Sequence, residues 1–203
     1  MRQQKPAVRA WAVVFWLLVW QGASLALRAI YPHGALLLAS PIDALRRLFE
    51  LALTAAFWQT VGISAARILG GFLVSCVLAL GLAALSARFR RVEELLSPLV
   101  AAVKAVPVAS FIILALVWLN SRSLAFFISA LMVFPPVYLN VLEGIRQTDR
   151  SLLEMAQVFR VPFPRVLRSI YVPQVLPYFR SAISVALGLC WKSGTAAEVI
   201  GLS

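Results

Sequence analysis

Five long apolar runs constrain this chain more than anything else in it. Residues 11–30, 60–86, 99–119, 124–142 and 174–191 each come to about the 20 mostly apolar residues that a helix needs to cross a bilayer. Inside lipid every backbone N–H and C=O must be satisfied within the segment, so runs of this length are helices. No strand repeat or low-complexity linker separates them, which predicts an all-α integral membrane protein. Composition agrees: 62% of the 203 residues are hydrophobic and 13% are charged, against roughly 45–50% and 25% in soluble domains.

The net charge of +11 would suit nucleic acid if it were clustered, but the basic residues fall in short groups between the apolar runs, as membrane loops do. With an internal N-terminus, the inside segments hold Arg2, Lys5, Arg9, Arg88, Arg90, Arg91, Lys104, Arg146, Arg150, Arg160, Arg165 and Arg168. The outside segments hold Arg28, Arg46, Arg47 and Arg122. The positive-inside rule therefore predicts a cytoplasmic N-terminus and no nucleic-acid partner. The first run exceeds the usual 7–15 residues of a signal-peptide core, which favours a retained helix. Cys76 and Cys190 lie inside apolar runs, where a thiol behaves as a small hydrophobe, and His33, the single histidine, has no ligand or catalytic neighbour. No metal site is predicted.

Between the fourth and fifth runs lies "GIRQTDRSLLEMAQVFRVPFPRVLRSIYVPQVLP". Asp149 can cap a helix, and Ser151 with Glu154 forms a possible capping box. Leu152, Leu153, Met155, Ala156 and Phe159 give that helix an apolar face. Pro162 and Pro164 stop it, and Pro164 can begin a second helix carrying Arg165 and Arg168 on one side. Two readings stand on these residues alone: a hairpin lying in the membrane interface, or an exposed knob whose apolar tip fits a groove in a cytoplasmic protein.

The same stretch resembles the cytoplasmic loop of bacterial ABC importer permeases, with its pattern Glu-Ala-Ala, three residues, Gly, nine residues, Ile, one residue, Leu-Pro. Here the pattern reads Glu154, Met155, Ala156, Arg160, Ile170, Val172 and Pro173. Arg160 departs from it, because a left-handed backbone costs roughly 1–2 kcal/mol at a residue with a Cβ. The turn rests either on that conformation or on Pro162 and Pro164. Further likeness to the nitrate/sulfonate/taurine-type branch runs through "TVGISAARILGGFLVSCVLALGLAALSARFRRVEELLSPLV", "KAVPVASFIILALVWLN", "FPPVYLNVLEGIRQTDRSLLEMA" and "GLCWKSGTAAEVIG".

The resemblance implies the transmembrane domain of a type I (MetI-like) ABC importer, with residues 1–59 forming an N-terminal helix and external loop. Residues 60–203 would form the permease core, with its coupling loop at 146–173. Five spans are expected here, and a sixth, usual in the family after "AAEVIG", would be missing. The resemblance also implies a separate ABC ATP-binding subunit, a second permease copy and an extracytoplasmic solute-binding protein, all at a bacterial inner membrane. ATP would sit on the partner, since no G-x-x-x-x-G-K-[ST] occurs in this sequence. The expected docking residues are Ser151, Glu154, Met155, Ala156, Phe159, Arg160 and Pro162. The cargo class it implies is a small solute, nitrate/sulfonate/taurine-like or a pyrimidine precursor.

Three polar features within the runs bear on transport. Ionised groups in a bilayer tend to face cavities or partners, which makes Trp191, Lys192 and Glu198, in a segment broken by Gly194, candidates for the translocation path; an interfacial lysine is the competing reading. Arg67, about two turns into its helix, is expected to snorkel outward, and Arg180 lies near the inner start of the fifth run. Gly70, Gly71, Ser75 and Gly81 suit close helix packing. An ion-driven transporter would want intramembrane carboxylates across an inverted repeat, and an enzyme a convergent reactive set. The spans hold almost no acidic residues and show no internal repeat, and the single histidine lies in a loop. The alternatives are an ion-driven secondary transporter and a non-transporting membrane protein.

Overall fold

Serine, aspartate and proline set where this chain's helices begin, and the computed structural model describes them over residues 10–31 and 37–201. The chain folds as two units, Met1–Val61 and Gly62–Ser203. The N-terminal residues Arg2, Lys5 and Arg9, and His33, lie outside the described residues.

In the first unit, α1 (Ala10–Ile30) is followed by α2 (Pro41–Ala52). Ser40 caps α2 by accepting the Asp43 N–H at 3.1 Å, and Pro41 occupies the first turn, where its missing N–H costs nothing. Ser24 of α1 donates to Leu38 O at 2.8 Å and Trp20 Nε1 to Ala39 O at 3.0 Å. Arg28 pairs with Asp43, and this guanidinium, with the Ser40 hydroxyl, holds the Asp43 carboxyl below the usual carboxylate range.

The second unit is built on α3 (Ala55–Arg88), α6 (Ser121–Arg146) and α9 (Val172–Gly201). Between α3 and α6 lie α4 (Arg90–Ala105) and α5 (Val108–Leu116). Between α6 and α9 lie α7 (Arg150–Val158) and the short α8 (Phe163–Val166). Among the described residues three helices are long and apolar enough to cross a membrane: α1, α3 and α6. The number is four if α4 and α5 form one broken span. The third expected span is thus not straight: α4 and α5 meet at 104°. Val106, forced into extended backbone by the proline after it, ends α4, and Pro107 opens α5.

The fifth expected span also differs. α8 does not stop before it but runs through a π-helical turn, Leu167–Tyr171, into α9. There the Val172 N–H reaches back five residues to Leu167 O. Pro173 and Pro177 bring no N–H donors, which is where a helix widens most readily. α9 is less apolar than the other long helices, carrying Gln174, Arg180, Lys192 and Glu198. It is continuous through Gly194, so the expected glycine break is absent.

Small residues join these helices. A Cβ on Gly71 of α3 would lie 2.3 Å from Phe126 O of α6, and one on Gly194 of α9 would lie 2.5 Å from Ser129 Oγ and 2.6 Å from Ile68 Cγ1. Ser75 Oγ donates to Ala130 O at 2.7 Å. Tyr138, buried in α6, donates to Ser86 Oγ at 2.9 Å. Packing is therefore the role of Gly71 and Ser75, whereas nothing lies within 4 Å of a Cβ on Gly81. Gly71→Val is expected to lower the thermal unfolding midpoint in detergent, at a cost of about 1–3 kcal/mol for overpacking. Gly81→Ala is expected to leave it unchanged or raise it.

Candidate functional site

The loop between α6 and α9 is a short helix held at both ends. Asp149 is the N-cap of α7: its Oδ1 accepts the Ser151 N–H at 2.8 Å and the Ser151 hydroxyl at 2.7 Å. Ser151 therefore sits in the first turn and does not cap, so the Ser151–Glu154 capping box is not formed. The Ser151 hydroxyl and N–H hold the Asp149 carboxyl below the usual range for aspartate. The Asp149 N–H donates to Gln174 Oε1 at 2.8 Å, which ties the start of the loop to α9.

At the other end Arg160 has φ 51°, the one non-glycine positive φ among the described residues. Its N–H donates to Gln157 O at 3.0 Å, and the Val161 N–H to Ala156 O at 2.9 Å. These paired bonds close the helix in a Schellman motif, which calls for a left-handed residue at this point. The turn expected at the glycine position is thus made by Arg160 itself. Pro162 then opens α8, accepting the Arg165 N–H at 2.9 Å.

Between these two caps α7 turns Ala156 inward, buried, and Met155, Val158 and Phe159 outward. Phe159 and Val158 are 74% and 78% exposed, far more than a residue helping to hold the loop together would be. Phe163 continues this apolar tip and Glu154 stands exposed beside it. Val158 and Phe163 were missed by sequence reasoning. Their signal was present in the spacing of Met155, Val158 and Phe159 along one side of α7.

The ends of the long helices also pair by charge. Arg146 of α6 pairs with Glu93 of α4, which brings the α3–α4 junction and the start of the loop to the same end of the unit. Arg67 of α3 lies 3.6 Å from Glu198 of α9, Nη1 to Oε1. Arg67 therefore has a carboxylate partner, where sequence reasoning expected it to snorkel. The distance exceeds a hydrogen bond, and Glu198 Oε1 is buried without one, so the contact is an ion pair. Arg67 is 21 residues before Arg88 on one helix, roughly 32 Å at 1.5 Å per residue. The pair thus stands about one hydrocarbon thickness from the loop end. Trp191 and Lys192 are exposed on α9, and Lys192 has no carboxylate partner among the described residues. The structure separates Lys192 from Glu198 by its environment: Glu198 is held by Arg67 and Lys192 is not.

Residues 71–203 match the family described as "Binding-protein-dependent transport system inner membrane component". The chain is 31% identical over 183 residues to the putative aliphatic sulfonates transport permease protein SsuC of Escherichia coli (strain K12), covering 90% of this chain and 68% of that one. It is 27% identical over 145 residues to the bicarbonate transport system permease protein CmpB of Synechococcus elongatus, covering 71% and 52%. It is 28% identical over 203 residues to the riboflavin transport system permease protein RibX of Chloroflexus aurantiacus, covering 98% and 74%. The chain spans about half to three-quarters of the length of these curated relatives.

Two tests follow from the caps of α7. Replacing Arg160 by Gly removes the left-handed strain and is expected to stabilise the loop by about 1 kcal/mol, read as slower amide exchange across α7. A depressed aspartate pKa stabilises the fold above its unfolded value and loses that stabilisation as pH falls through the folded value. Exchange at Ser151, corrected for its intrinsic pH dependence, is therefore expected to accelerate at acid pH, and in Asp149→Ala to be fast at every pH.

Proposed function

The chain belongs to the binding-protein-dependent transport system inner membrane components, the ABC permease subunits, in their nitrate/sulfonate branch, and from that membership we propose that it is the membrane-spanning subunit of an ATP-driven importer. ATP is bound and hydrolysed by a separate ABC subunit, which docks on α7. The permease works as a homodimer in a bacterial inner membrane, N-terminus cytoplasmic, and receives its cargo from an extracytoplasmic solute-binding protein.

The observation that carries this reading is the apolar tip of Met155, Val158 and Phe159, presented outward by a helix that is capped at both ends. An interfacial hairpin has no need of such rigid caps, because lipid accepts an apolar face in many orientations. A protein groove does need them, since a preorganised knob loses less conformational freedom on binding. Ser151, Ala156, Arg160 and Pro162 act by shaping the knob, and Glu154, Met155 and Phe159 by touching the partner. When the ATPase pair closes around ATP, the groove moves and carries α7 with it, and the spans shift between inward- and outward-facing states.

For the cargo, relatives are named for aliphatic sulfonates, bicarbonate and riboflavin. We assign a small solute of the nitrate/sulfonate/taurine-like or pyrimidine-precursor class. Lys192, exposed and without a carboxylate, is the cation best suited to meet an anionic cargo, with Trp191 beside it. Glu198 neutralises Arg67 and shapes the same end of the path.

The test is copurification of the full chain with its candidate ATPase in detergent. Binding is expected for the parent and is expected to be lost in Glu154→Ala/Met155→Arg, with helical content unchanged by circular dichroism. A variant that binds as well as the parent would overturn α7 as the docking site.

A further inference from the structure

A groove of about 440 Å³ opens between the C-terminal ends of α3 and α6 and the π-helical turn that leads into α9. Its volume is within the ~300–1,000 Å³ of small-ligand sites. Leu80, Ala84, Val141, Leu167 and Phe179 form its walls, and Arg88 stands on its lining as the single charged group. Apart from Arg88 and the Tyr171 hydroxyl the side chains of the lining are apolar, so an apolar filler suits the groove better than ordered water.

Its depth in the membrane follows from α3. That helix has 34 residues, roughly 50 Å of length, against about 30 Å of hydrocarbon. The stretch from Arg67, paired with Glu198 at the far end, to Arg88 is roughly 32 Å, about that thickness, so with Arg67 at the opposite interface Arg88 reaches headgroup level, and Ala84 and Leu80 lie one and two turns below, among acyl chains. The charges on the segments that form and flank the groove are unbalanced. Arg90 is paired with Glu94, and Arg146 with Glu93. Arg88, Arg91, Arg165 and Arg168 are exposed, and none has a carboxylate partner among the described residues. Arg88 rests its guanidinium 5.5 Å above the Phe89 ring, a contact that leaves its N–H groups open to an anion.

We propose that this groove binds one acyl chain of an anionic phospholipid, with the lipid phosphate on Arg88. Basic pockets between spans at the cytoplasmic face take such headgroups, and here the apolar walls continue directly below the arginine. The groove shares Phe163 with the apolar tip but none of Glu154, Met155 and Phe159, the residues assigned to ATPase contact, so either reading can fail without the other.

The full chain, purified in detergent and stripped of lipid, is titrated with phosphatidylglycerol or phosphatidylcholine of identical acyl chains, and bound lipid is read by native mass spectrometry. Phosphatidylglycerol is expected to bind about fivefold better or more, the effect of roughly one arginine near the membrane surface. Arg88→Gln is expected to bring the two lipids to parity and Arg88→Lys to keep most of the preference. Ala84→Trp, or the milder Ala87→Leu at the same wall, is expected to weaken both lipids, with helical content preserved. Equal binding of the two lipids, a preference that survives Arg88→Gln, or full binding when both wall variants fill the groove would overturn the proposal. So would displacement by glycerol phosphate, which would mark a site for the free anion. Dimers that persist without lipid and come apart in Ala84→Trp would show that a second copy covers the groove, and would overturn it too.

Discussion

The close approach of α3, α6 and α9 governs everything else in the second unit. Lipid tails are as apolar as leucine, so spans gain little from burying apolar side chains against one another and associate through backbone proximity and polar contacts instead. Gly71 lets α3 reach the Phe126 carbonyl, and Gly194 lets α9 reach Ser129 and Ile68. Ser75 then donates across the α3–α6 contact to Ala130 O. The ring of Tyr178 fills the space beside Gly144, fixing α6 against α9 at the end where the loop begins. Were any of these residues larger, the helices would separate and the loop would lose the two supports it hangs from.

On that base the loop acquires a definite shape by local means. Asp149 satisfies the first orphan N–H groups of α7, Gln174 fastens the loop to α9, and the Schellman bonds close the far end. Arg160 is the unfavourable element, a side chain in a conformation where glycine is the easy choice. It holds because the two bonds on either side of it would be lost in any other conformation, and Pro162 allows little freedom beyond them. The strain is local and the caps over-determine it, which is the circumstance in which strained residues persist.

Much of this could be read from the sequence, and the failures have physical causes. Residues whose chemistry acts within a few positions were legible, as at Asp149, whose side chain caps α7. Contacts set by tertiary packing were not. Nothing local to Arg67 reveals that Glu198, far along the chain, is brought to 3.6 Å, so snorkelling was the natural expectation. Gly81 looked like Gly71 because both stand among apolar residues, yet one faces a backbone carbonyl and the other open space. Gly194 read as a helix break because glycine is usually costly inside a helix; here the helix continues and the missing side chain is what lets Ser129 and Ile68 approach. The bend of 104° between α4 and α5 goes with packing of Ile112 and Ala115 against α6 and α9, contacts that nothing local to residues 99–119 reveals.

The run from α8 through the π-helical turn to Gly201 has a consequence for how motion passes through the unit. α7 is joined to this rod at Asp149–Gln174 and again through Pro162, so displacement of the tip acts on the rod at two points near one end. Near its other end the rod is held to α3 by Arg67–Glu198 and the Gly194 contact. The π-turn and Pro173 lie between the two α7 attachment points and Pro177 just beyond them, at positions where helices bend most readily. Displacement of α7 therefore bears directly on the π-turn, whereas the Gly194 contact lies further along the rod. Because that same turn lines the groove through Leu167 and Tyr171, whatever fills the groove bears on the segment that α7 spans.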